Sequence, residues 1–145
     1  MIRIIRFIIP ALVLIGFTSV AFGKESFFDE ALKMYKEKKY DDAKFLFERN
    51  IVFNPKNIDS YLYLAKIYNE KKEQKKEQQN LETVLLIEPS NEEAILMSMK
   101  IALEKSNYSK VQKLSETFVK VCKKLCDEND KIKESLKNIE SKNES

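Results

Sequence analysis

Along most of the chain, apolar residues recur every three or four positions and short polar breaks separate the stretches. That spacing puts apolar side chains on one face of a helix. Ala43, Phe47 and Ile51 make one such face and predict a helix over 40–53. A helix before it starts at Ser26-Phe27-Phe28-Asp29, a capping hydroxyl followed three residues on by an acid, and runs to about residue 38. Asn54-Pro55-Lys56-Asn57 is a breaker followed by an N-cap. A second helix pair follows over 58–68 and 74–87 and ends at Pro89-Ser90, where Ser90 and Glu93 form a capping box. A third pair covers 92–104 and 109–125. A last helix, over 128–139, carries Ile132, Leu136 and Ile139 on one stripe and charge elsewhere. The tail at 141–145 reads as frayed. The predicted fold class is all-α.

The pairs repeat. Pro55 and Pro89, the prolines beyond the N-terminal leader, stand 34 residues apart, and similar residues surround both. One copy reads Phe27, Glu30, Ala31, Met34, Ala43, Phe47, Pro55; the next reads Tyr61, Leu64, Ala65, Tyr68, Glu77, Leu81, Pro89. A degenerate third reads Ile95, Ser98, Met99, Ala102, Val111, Ser115, with Lys123 in place of proline. Tyr40, Asp41 and Asp42 look like the turn into the second helix, and Asn107-Tyr108-Ser109 stands 68 residues after Lys39-Tyr40-Asp41. Over about 24–125 the chain resembles the tetratricopeptide repeat family. The alternative is an unrelated bundle of helical hairpins. The resemblance implies an α-solenoid of about three helix pairs over 24–140, with the last helix as its polar cap. Four residues depart from the pattern. Glu77 and Asn50 replace small residues where helices approach, and Lys38 and Lys72 stand where many copies have a turn glycine. Looser packing of those pairs is the expectation.

Residues 1–23 form a separate unit. Arg3 and Arg6 precede an apolar run from Phe7 to Phe22 that closes in small residues around Ala21 and Gly23. This is the three-part pattern of a secretory signal peptide. The 16-residue run is short of the roughly 20 residues of a spanning helix, the competing reading. Export to the periplasm or to the outside is therefore expected, and membrane association only through the uncleaved leader. Both glycines lie in the leader, so the rest is glycine-free, as helices joined by tight turns require. Without Arg3 and Arg6 the net charge falls from +3 to +1. Such a balance gives no support for nucleic-acid binding, which wants a strongly basic, clustered surface.

The chemistry of catalysis is thin. There is no histidine, which removes Ser-His-Asp and Cys-His arrangements and the commonest metal ligand. Without glycine in the fold there is no phosphate loop of the usual kind. The expectation is a non-enzyme with no cofactor and no metal. Cys122 and Cys126 are the two cysteines. In an exported protein they suit a structural disulfide, and a spacing of four puts them on one helix face at bridging distance. Two free thiols, or a catalytic pair, are the other readings.

In the family, the first helix of each pair lines a concave groove that binds other proteins. The resemblance assigns that groove to Phe28, Leu32 and Tyr35, then Leu62, Lys66 and Asn69, then Leu96, Lys100 and Leu103. Family members that grip a peptide's C-terminal carboxylate have Lys and Asn where this chain has Phe28 and Leu32, which argues against such a clamp. An apolar groove with Lys66 and Lys100 along one track suits an amphipathic helix or an extended apolar segment with some acids. Self-coverage of the same face is the alternative. Three functions compete: an exported adaptor for another envelope or secreted protein; a structural module that self-associates through this face as a homodimer, or a non-catalytic subunit of an envelope complex; and a cryptic enzyme or enzyme subunit. The first is the expected one.

Overall fold

Seven helices and no strand make up the described residues, 26–143, of this computed structural model. The expected leader lies outside them. The order is α1 (Phe27–Lys36), α2 (Tyr40–Phe53), α3 (Ile58–Glu70), α4 (Gln74–Ile87), α5 (Glu92–Glu104), α6 (Tyr108–Val121) and α7 (Cys126–Asn143). The bounds of α4 are those of α2 displaced by 34 residues, and those of α6 by 68. α5 stands in the same relation to α3, and α7 begins 34 residues after α5 begins.

The turns repeat with the helices. Lys38, Lys72 and Ser106 adopt positive φ, at 59°, 59° and 53°. At each, the next residue's N–H donates back to a carbonyl five residues earlier: Lys39 to Met34 at 2.9 Å, Glu73 to Tyr68 at 2.9 Å, Asn107 to Ala102 at 2.8 Å. This is the Schellman closure, in which a left-handed residue satisfies the orphan carbonyls of a helix end. Glycine suits it best, yet two lysines and a serine fill it here.

Between pairs, Asn57 caps α3 by accepting from the Ser60 N–H at 2.8 Å, and Asn91 caps α5 by accepting from the Ala94 N–H at 3.0 Å. The capping box expected from Ser90 and Glu93 is thus replaced by an asparagine cap one residue on, in register with Asn57. The third break departs further from expectation. The sequence has no proline there, so a helix over 109–125 was the natural extrapolation, but α6 stops at Val121 and α7 starts at Cys126. Cys122 leaves the helix with extended backbone.

Three apolar clusters hold the chain, each drawn from three successive helices. Ala31, Ala43, Phe47, Leu64, Ile67 and Tyr68 join α1, α2 and α3. Leu62, Ala65, Leu81, Val84, Ala94 and Ile101 join α3, α4 and α5. The third, around Ile95, Met99, Val111, Phe118 and Ile132, joins α5, α6 and α7.

The polar departures from the repeat are buried and paired. Asn50 donates to the Ser60 hydroxyl at 2.8 Å between α2 and α3; Val84 and Ala94 hold the same two positions one period later. Glu77 is 3 % exposed and accepts from Asn69 at 3.0 Å. Ser115, in the register of Phe47 and Leu81, donates to Asn129 of α7 at 2.8 Å. Among the described residues no buried side-chain nitrogen or oxygen lacks a partner. The misfit side chains are accommodated by hydrogen bonds, as buried polar groups require.

Candidate functional site

The residues assigned to a groove lie on α1, α3 and α5, and most are engaged inside the protein. Phe28 packs on Phe47 at 5.7 Å, and Tyr35 meets Tyr63 edge-on at 4.9 Å. Tyr63 stacks flat on Phe47 at 5.2 Å and is the centre of this aromatic group. Lys66 lies 4.7 Å above the Tyr63 ring and 2.9 Å from Glu93, so it ties α3 to α5. Asn69 is held by Glu77. Leu62 and Leu96 are 7 % and 5 % exposed and belong to the second and third clusters. They are core residues rather than open anchors, because the neighbouring pair covers them. Leu32 is half-buried, Leu103 packs partly against the third cluster, and Lys100 is exposed.

On this side a cavity of about 680 Å³ opens between the α4–α5 turn and the α6–α7 turn. Leu62 lines its floor; Glu88, Glu93, Lys120, Lys123 and Lys124 line its walls. Glu93 is taken by Lys66, and Glu88 accepts from Asn91 at 2.7 Å. Lys120, Lys123 and Lys124 have no ion-pair partner among the described residues. The Glu92 carboxylate lines the wall as well, so three carboxylates and three lysines face the cavity and neither sign dominates.

The turn beside the cavity is built in an unusual way. The Glu92 carboxylate, at the start of α5, accepts three consecutive backbone N–H groups: Lys123 at 2.9 Å, Lys124 at 3.0 Å and Leu125 at 2.9 Å. Successive amides aimed at one anion form a nest. They hold the Glu92 carboxyl below the usual carboxylate range, chiefly through the Lys124 and Leu125 amides. Cys122 and Cys126 bracket the same turn and are bonded, with Cα atoms 5.4 Å apart. The bond closes where the helix has already broken, which brings the two sulfurs together. A proline at 123 would lack the donor, so Lys123 permits the capture that replaces the missing breaker. Tyr63 and Glu92 escape a reading by motif, since the repeat pattern leaves their positions free, and Glu93, expected in a capping box, pairs with Lys66 instead.

Other shifted groups point to packing. Burial, then the Glu48 charge, pushes the Tyr68 hydroxyl up to about 12, and that hydroxyl donates to Glu48 at 3.1 Å. Burial raises the Glu77 carboxyl against the opposing Asn69 hydrogen bond. Among the described residues no group of three or more His, Cys, Asp or Glu could hold a metal ion, and no helix is long and apolar enough to cross a membrane.

On the second helices of the pairs, several large apolar side chains are exposed: Phe45, Val52, Phe53, Leu86 and Val119. Val52 and Leu86 stand one period apart, and Phe27 of α1 stacks on Phe53 at 5.5 Å. No family description matches the chain, and no curated protein is similar to it.

Proposed function

We propose that this chain is an exported adaptor of tetratricopeptide-repeat type, a non-catalytic solenoid that binds a segment of another envelope or secreted protein along its α1, α3 and α5 side. The observation that carries the reading is the 34-residue register, expressed together in helix bounds, in the three left-handed turn residues and in the three clusters. A unit that buries its face only by stacking leaves an extended side surface, and such surfaces bind proteins. Since Leu62 and Leu96 are spent on the core, contact falls to Lys66, Lys100 and the cavity floored by Leu62. Lys66 and Lys100 along one track, with Lys120, Lys123 and Lys124 at the cavity wall, suit a segment carrying some acids beside its apolar residues.

The test is a crosslinking capture from the native cell with wild type and with Lys66→Glu/Lys100→Glu. The expected outcome is one specific partner, lost in the variant while the thermal melt stays within a few degrees. Retention of that partner by the variant moves the surface elsewhere. A second reading, self-association, has its own support in the exposed Val52, Phe53 and Leu86. Sedimentation of wild type against Leu86→Glu decides it: a monomer at micromolar concentration excludes it.

A further inference from the structure

Beside α7 lies a slot whose counterparts beside α3 and α5 are filled. α3 is covered by α4, and α5 by α6. α7 begins where a first helix of a new pair begins, but no described helix follows it. The register makes the consequence visible side chain by side chain. Lys133 stands where α3 has Ala65 and α5 has Met99, both at 0 % exposure. Leu136 stands where they have Tyr68 and Ala102, also buried, yet it is only half-covered. On α6, Val119 is the counterpart of Leu85 and Ile51. Those two are packed against the clusters, while Val119 is 56 % exposed.

These residues line one concavity of about 670 Å³ between α6 and α7. Val111, Val119 and Leu136 give it an apolar floor, and Lys120, Lys133 and Lys137 rim it, with Glu116 the one acid. None of the three lysines has an ion-pair partner among the described residues. The lining on α6 runs over nine residue steps, roughly 14 Å at 1.5 Å per residue, or between two and three helical turns.

We propose that this slot takes an amphipathic helix from a partner protein, seated where the next second helix of the array would lie, with acids beside its apolar stripe facing Lys133 and Lys137. The register argues for a helix, because helices cover the same positions of α3 and α5. The charge argues for acids, because Lys133 stands where Ala65 and Met99 are buried, and Lys137 and Lys120 rim the same slot. The slot lies between α6 and α7 and shares Lys120 with the cavity over Leu62; its other lining residues are its own.

The probe is a labelled, helix-forming 14-residue peptide with leucines along one face and glutamates at the edges of that face. Its charge-reversed twin carries lysines instead. Fluorescence anisotropy with the full chain should show the acidic peptide binding at least about tenfold tighter than its twin, by the discrimination expected of complementary charge. Lys133→Glu/Lys137→Glu should invert that preference, while Lys66→Glu/Lys100→Glu leaves it intact. The milder Lys133→Gln/Lys137→Gln, with the thermal melt as control, replaces the reversal if the latter unfolds. Equal binding of both peptides, or indifference to both Lys133/Lys137 variants, overturns the proposal and leaves α7 a polar cap only. Binding of laurate with no peptide binding overturns it in favour of a small amphiphile. A slot closed by a second copy, seen as a dimer that Val119→Glu dissolves, overturns it as well.

Discussion

Lys38, Lys72 and Ser106 hold left-handed backbone without the residue that tolerates it at no steric cost. A side chain there costs about 1–2 kcal/mol, partly offset because a lysine or serine restrains the unfolded chain more than glycine does. Lys38→Gly and Lys72→Gly should therefore each raise stability, by roughly 0.5–1 kcal/mol, read as a higher urea midpoint with an unchanged slope. A lower midpoint would mean that the lysine stems contribute more than the strain costs. Leu62 gives the opposite kind of expectation. Read from the repeat pattern, it is a groove anchor whose replacement by a charge spares the fold. Its place in the second cluster predicts that Leu62→Glu buries an unpaired carboxylate and costs several kcal/mol, seen as a large fall in the melting temperature. Apolar side chains on a first helix look alike in sequence whether solvent or the next pair faces them, which is why Leu62 and Leu96 were legible as apolar but not as core.

At the scale of single elements, α1 to α5 are legible to the residue at both ends or within one or two, because cap, periodic stripe and breaker agree. The break after α6 was not, since no proline or glycine stops the helix at Val121. Two contacts hold the break: the disulfide across four residues, and the Glu92 carboxylate reaching from α5. The second can be titrated. Its carboxyl is lowered from an ordinary value of 4.5 in the folded state, so the unfolded chain binds the proton more readily. The turn's contribution is complete above about pH 4.5 and is lost as the pH falls through the lowered folded value. The amide proton shifts of Lys123, Lys124 and Leu125 should titrate together below pH 4.5, and in Glu92→Gln they should not titrate. Native protein isolated without reductant should give no alkylated cysteine. Two alkylated cysteines would show that the carboxylate alone holds the turn.

At the scale of the molecule, the three clusters make stability a matter of neighbours. Phe47, fully buried in the first, should cost about 3–5 kcal/mol when cut to alanine. Because it touches only α1, α2 and α3, the added hydrogen exchange should concentrate in those helices and reach α6 and α7 last. Uniform acceleration across all seven helices would instead show one indivisible cooperative unit. The same arrangement bears on how the chain reaches its fold. Each cluster is assembled from helices adjacent in sequence, so few pairings demand that distant residues find each other. Loops to be closed are short and their entropic cost is small. Folding should therefore belong to the fast regime of low contact order, microseconds to milliseconds, and should be able to start from any one of the three hairpins.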